Sequence, residues 1–216
     1  MNNDIIENSK NYWNRVHANN KRESIKIDDW LDKFLGLIES CKTPIIDLGC
    51  GSGNDTLYLL NKRKEVIPCD LSKNSIDSIK KDFPEIKDAK CFNMLDGLPF
   101  KDSSCELIIA DLCLHYFTES DTKKVLKDIQ RVLTNNGHLI FRVNSINDVN
   151  HGAGKGIEVE HHLYSTSDNR LKRFFDESDL LQFLSDFEIE YLNEEIMTRY
   201  ELEKSLYRGC VKKVQK

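Results

Sequence analysis

The chain has 216 residues, of which 39% are hydrophobic and 31% charged, with a formal net charge of −5. That length suits one domain with a substantial core, and the mild acidity argues against a dedicated nucleic-acid binder, which carries a basic stripe. No apolar run approaches the roughly 20 residues of a membrane helix, and the opening Met-Asn-Asn-Asp shows no basic and apolar leader regions. Cys41, Cys50, Cys69, Cys91, Cys105, Cys113 and Cys210 form no Cys-x-x-Cys pair, so reduced thiols in a cytoplasmic protein are the expectation.

In chain order, Tyr12-Trp13-Asn14-Arg15 lies on a short N-terminal helix. Ile27, Trp30, Leu31, Phe34, Leu35 and Ile38 recur at helical spacing and predict an amphipathic helix over 27–40. Short apolar runs predict strands at 44–48, 65–69, 90–94, 106–111 and 138–143. Helical patterns fall between them, at 55–63, around Ile76, Ile79 and Phe83, and from Val125 to Leu133. The alternation predicts an α/β fold with a doubly wound, mostly parallel sheet covered on both faces. Residues 144–170 are polar and contain Gly152, Gly154 and Gly156, a long excursion of the kind that carries function. A helix over 176–184 precedes two strands, 187–191 and 205–211, with no helix between them, which predicts an antiparallel edge.

Residues 45–57, Ile-Ile-Asp-Leu-Gly-Cys-Gly-Ser-Gly-Asn-Asp-Thr-Leu, join a buried strand to a helix through Gly49, Gly51 and Gly53. Without a Cβ, such a loop lets a ligand approach backbone N–H groups. The dinucleotide fingerprint Gly-x-Gly-x-x-Gly would need its third glycine at Asn54 or Thr56, so it is not met. Asp47 and Asp55 flank the loop; they repel a pyrophosphate and favour an ammonium or sulfonium. Asp70 closes the second strand, where a carboxylate can accept from both ribose hydroxyls or cap a helix start before Ser72. Glu158, Glu160, His161 and His162 invite a metal reading. Adjacent histidines on a strand point to opposite faces, so a solvated loop or substrate wall is expected instead, with no metal.

The glycine loop resembles motif I of the class I S-adenosylmethionine (SAM)-dependent methyltransferases. The likeness continues through Asp70, Asn93-Met-Leu-Asp-Gly-Leu-Pro-Phe, Asp111-Leu-Cys-Leu-His-Tyr-Phe117 and Leu133-Thr-Asn-Asn-Gly-His-Leu-Ile-Phe141, over about residues 44–143. Within the class the chain looks like the small bacterial tellurite-resistance-type (TehB-like) enzymes. Gly53-Asn-Asp-Thr, Leu114-His-Tyr-Phe, Leu171-Lys-Arg-Phe-Phe, Asn193-Glu-Glu and Tyr207-Arg-Gly carry that likeness. Tellurite-acting members have a His-Arg pair near the last strands; this chain has Thr198-Arg199.

The resemblance implies a Rossmann-like, seven-stranded methyltransferase domain spanning 1–216. It divides into a helical cover (1–40), a SAM-binding core (44–143), and a substrate loop with the last strands (144–216). It places Tyr12, Trp13, Asp47, Gly49, Cys50, Gly51, Gly53, Asp70, Leu71, Asn93, Met94, Asp111 and Leu112 around SAM. His115 and Tyr116 become the catalytic candidates, His115 as a general base because its ordinary pKa of about 6.5 suits proton abstraction near neutrality. Arg142, Asn144 and Arg199 fall on the acceptor side, with Arg142 either holding an acidic substrate or forming a salt bridge to an Asp or Glu nearby. The implied reaction is in-line displacement of the SAM methyl group by a small-molecule acceptor, in a monomer or homodimer, with no membrane and with nucleic acid unlikely on charge grounds. Two other classes compete: a non-catalytic SAM sensor or partner subunit, and an NAD-dependent oxidoreductase, which the glycine spacing disfavours.

Overall fold

The computed structural model describes residues 3–18, 25 and 27–214. Its centre is a seven-stranded sheet in the order β3-β2-β1-β4-β5-β10-β9. Strands β1 (Ile45–Leu48), β2 (Val66–Asp70), β3 (Lys90–Cys91), β4 (Cys105–Asp111) and β5 (Leu133–Asn144) run parallel. The last two, β9 (Phe187–Met197) and β10 (Lys204–Lys213), are antiparallel to their neighbours, which is the predicted edge.

The apolar alternation along the central strands sends successive side chains to opposite faces. Ile108 and Leu139 pack under α5 (Glu119–Val132) against Val125 and Ile129. Ile109 and Ile140 face the other way, against Trp30, Phe34, Ile38 and Leu59. On that second face lie α2 (Leu35–Ser40) and α3 (Asn54–Asn61), with α4 (Lys73–Asp82) covering the sheet near β2. The starts of α4 and α5 are capped by side chains: Ser72 accepts from Ser75 N, and Thr118 from Asp121 N.

The predicted 27–40 helix is corrected to a 3-10 turn at Asp32–Phe34 followed by α2. Trp30, Leu31, Phe34 and Ile38 are buried as their spacing required, but the preceding backbone serves other partners. The Trp30 carbonyl accepts from Arg208 at 2.8 Å, the Trp30 indole donates to Asp55 at 2.8 Å, and Asp28 reaches Arg142 at 2.9 Å. Strand β3 is also shorter than predicted, because the Asn93 side chain caps a 3-10 turn at Met94–Asp96.

The 144–170 excursion is folded. A 3-10 turn at Val149–His151 leads into a three-stranded antiparallel sheet of β6 (Ile157–Glu160), β7 (Leu163–Ser165) and β8 (Leu171–Arg173). Buried Arg173 ties this sheet to the end of β4: its N–H donates to the His115 carbonyl at 2.7 Å, and its guanidinium to Glu160 at 2.6 Å. Strands β7 and β8 lead into α6 (Glu177–Phe183), which opens on a reciprocal Asp176–Asp179 capping box.

Candidate active site

A cavity of about 360 Å³ opens where β1, β2 and β4 end, the crevice at which open α/β sheets bind ligands. One end is built by the glycine loop. Gly49, Gly51 and Gly53 have φ of +76°, +51° and +86°, a region that favours glycine. A Cβ on Gly49 would lie 2.4 Å from the Cys113 Cβ, and one on Gly53 2.6 Å from Ile79 Cδ1. These two positions therefore seal the loop against β4 and α4. Gly51 faces the cavity, where an added Cβ would meet the His17 ring at 3.3 Å.

Asp70 holds this end together. Its carboxylate accepts from Gly51 N at 2.9 Å and Ser72 N at 2.8 Å, and it lines the cavity, where a ligand hydroxyl can donate to it. Burial pushes its pKa up against those hydrogen bonds. Asp55 lies on the wall and is likewise pushed up, first by burial and then by Asp111 and Asp47. Asp47 sits behind the wall rather than on it. It is 1% exposed, accepts from Thr56 Oγ1 at 2.5 Å, and burial raises its pKa to about 7.

Helix α1 (Asn3–Val16) covers this end and brings Ser9 and Trp13, with His17 just beyond it, to the wall. Asn14 pins it: its Oδ1 accepts from Ser72 Oγ at 2.9 Å, and its carbonyl from Asn74 Nδ2 at 2.8 Å. Tyr12 turns away from the cavity and lies under the Arg170 guanidinium at 3.4 Å. Leu71, Asn93, Met94, Asp111, Leu112 and Cys50 line the wall of the same cavity. The Asn93 side-chain oxygen already accepts from Leu95 N at 3.1 Å. Leu112 adopts φ +52°, an uncommon conformation for a leucine, where the chain leaves β4.

At the other end His115 is buried and its Nδ1 has no hydrogen-bond partner among the described residues. Burial, with Lys204 and Lys172 nearby, holds its pKa well below the ordinary histidine value, so the ring is neutral and can accept. Tyr116 packs on His115 and Trp13, with centroids 4.3 and 5.5 Å apart. Burial raises its phenol pKa, so it is a wall and a hydroxyl donor rather than a base. Asn144 lines the same end, with its Oδ1 buried and unpartnered.

Arg142 is not a substrate ligand in this geometry. It is 3% exposed and off the cavity wall, donating to Asp111 at 2.7 and 2.8 Å and to Asp28 at 2.9 Å. Burial pushes the Asp111 carboxyl up, but Arg142 and Arg199 beside it hold it below the usual range. Arg199 does reach the wall, bonded to Asp111 at 3.0 Å.

The cations that sequence reasoning missed are Lys172 and Lys204, together with His151. Nothing in the sequence marks them: two lysines among 31 basic residues meet only because β8 and β10 converge on the 149–151 turn. His161 and His162 also depart from expectation. They lie around the β6–β7 turn with rings stacked at 3.7 Å on the same side, and His162 Nδ1 is 2.7 Å from Asp179.

A family model described as a methyltransferase domain matches residues 46–141. A tRNA N(3)-methylcytidine methyltransferase of Schizosaccharomyces pombe, trm141, is 25% identical over 195 residues, 82% of this chain and 77% of that protein. Two further curated relatives, at 32% and 36% identity, are matched over only 43% and 40% of their length. Among solved structures, TehB from Haemophilus influenzae superposes with a TM-score of 0.66 at 15% identity, covering 94% of this chain and 66% of that one. A 1,6-didemethyltoxoflavin-N1-methyltransferase from Burkholderia thailandensis, solved with its acceptor and S-adenosylhomocysteine, gives 0.63 at 19% identity, covering 86% and 75%. At these identities the structural likeness establishes the fold.

Proposed function

We propose that the chain, which a methyltransferase domain model matches over residues 46–141, is a class I SAM-dependent methyltransferase that transfers the SAM methyl group to a small molecule held at the far end of the same cavity. The observation that carries this reading is the cavity itself. It runs unbroken from the glycine loop and Asp70 to His115, Asn144, Lys172 and Lys204, beside the folded 149–173 segment.

The residues present fit the cofactor. Gly51 leaves bare backbone beside His17, Asp70 lines the wall where ribose hydroxyls would donate, and Asp55, pushed toward its neutral form by burial, would regain its charge beside a cationic ligand. Bound there, SAM supplies an electrophilic methyl on a sulfonium. The protein positions the acceptor for attack in line and excludes water, which is most of what a displacement of this kind needs. Trp13 and Tyr116 close the wall between the two ends. His115, kept neutral by burial, is the group that can take a proton from the acceptor at its unpartnered nitrogen.

A second reading, transfer to tRNA, is favoured by the names of two relatives, trm141 and the Drosophila melanogaster protein Mettl2 (31% identical over 148 residues), both tRNA N(3)-methylcytidine methyltransferases. The net charge of −5 runs against it. Incubation of the protein and methyl-labelled SAM with a low-molecular-weight cell filtrate, and separately with total tRNA, separates the two. Label in a small molecule supports the first reading; label in tRNA replaces it with the second. SAM binding without transfer to either would leave a sensor or partner subunit.

A further inference from the structure

We infer that Lys172 and Lys204 form a binding subsite for an anionic group of the acceptor, so that the methylated molecule is an organic acid or a phosphate ester. This rests on the methyl-transfer reading above. The subsite is assembled by three elements that converge on the cavity: the 149–151 turn, β8 and β10.

The charges at this end do not cancel. Arg142 and Arg199 are matched by Asp111 and Asp28, in ion pairs at 2.7 to 3.6 Å. Lys204 is matched by buried Asp148, at 2.5 Å. Asp148 is then fully committed, accepting also from Ser205 N at 3.3 Å and sitting 2.8 Å from His151 Nδ1. Lys172 alone has no carboxylate within ion-pair distance among the described residues; its ammonium donates to the His151 carbonyl at 2.6 Å. Strand alternation explains why it is here: Leu171 and Arg173 are buried on one face of β8, and Lys172 points to the other, into the cavity.

Lys172 is half-buried and Lys204 is buried, and two ammonium groups drawn partly out of water onto one wall are disfavoured unless an anion joins them. Burial and Lys204 accordingly push Lys172 down to about 8. The sulfonium expected at the other end of the cavity adds a further positive charge. Arg199, although its charge is matched by Asp111 and Asp28, lines the same cavity with its Nη1 buried and making no hydrogen bond, so it has a donor to offer an anion. A neutral or basic acceptor would leave this excess uncompensated. An anion would neutralise it, and would also lift the pKa of His115, which Lys204 and Lys172 help to depress. Proton abstraction would then be favoured when the acceptor is in place.

The test uses the full chain, methyl-labelled SAM and a low-molecular-weight filtrate passed over a quaternary-ammonium resin near neutral pH. The expected result is that acceptor activity is retained on the resin and eluted by salt. Lys172→Met should lower transfer at limiting filtrate about tenfold or more, as loss of a charge-assisted contact requires, and Lys172→Arg should recover most of it. S-adenosylhomocysteine affinity should be the same in all three proteins, which shows that the variants are folded. Acceptor activity in the unretained fraction, or full transfer by Lys172→Met, overturns the anionic subsite and leaves the methyltransferase reading standing. Transfer only to the macromolecular retentate, or no transfer at all with SAM bound, overturns the small-molecule reading and this inference with it.

Discussion

Asp70 shows how one side chain can serve the fold and the ligand together. Each of its oxygens already holds a backbone N–H, from Gly51 and from Ser72, so the carboxylate locks the glycine loop to the start of α4 before any ligand arrives. Charge-assisted hydrogen bonds contribute about 1.5–3 kcal/mol each. Two of them to ribose hydroxyls predict that Asp70→Ala weakens SAM binding by about a hundredfold or more by calorimetry. Asp70→Asn keeps one acceptor oxygen and should fall between. A loss below about threefold in Asp70→Ala would remove the ribose assignment. Arg142 teaches the opposite lesson. An arginine at the end of a buried strand looks like a substrate ligand in the sequence, yet here it neutralises Asp111 and Asp28 and stacks 4.3 Å over the Trp30 ring.

At the scale of elements, the strands and the glycine loop were legible because their periodicity and punctuation are local: apolar runs of four to seven residues ended by glycine or an acid. The antiparallel edge was legible from two strand patterns with no helix between them. The conformation of 27–31 was not, because the partners of the Asp28 side chain and the Trp30 carbonyl, Arg142 and Arg208, lie more than a hundred residues away. At the far end of the cavity His115, Tyr116, Asn144 and Arg199 were legible, whereas Lys172, Lys204 and His151 were not, since they meet only through tertiary convergence. Helix α1 was legible as a helix, but what fixes it over the cavity is a polar contact, Asn14 against Ser72 and Asn74. Asn14→Ala removes the side-chain part of that contact while the helix keeps its apolar wall. Amide hydrogen exchange in α1 should accelerate and SAM dissociation should quicken, with the global melting temperature little changed. Unchanged exchange in α1 would show that Trp13 and its aromatic neighbours hold the helix without Asn14.

Across the whole molecule, the cavity joins an end rich in buried carboxylates to an end rich in buried cations, and this polarity must also appear in stability. Asp47 gives the clearest sign. Its pKa is about 7 in the fold because of burial, against an ordinary 3.8. Between those values the native state holds the proton that the unfolded chain has released, so Asp47 makes stability fall as pH rises through that window. The contribution is fully present below 3.8 and gone above about 7. His115 acts in the other direction: its depressed pKa means that the unfolded chain binds the extra proton below 6.5, so its share of stability is lost on acidification. Asp47→Asn cannot titrate but keeps an oxygen to accept from Thr56, and His115 is common to both proteins. The stability difference between variant and wild type, measured by urea unfolding without SAM, should therefore shift in favour of the variant from pH 4 to 7 and then level off. A change on the order of 1 kcal/mol per pH unit is expected through the steepest part. A difference that does not move with pH would mean that Asp47 stays in one protonation state, and that its charge is balanced within the fold before the cofactor's cations arrive.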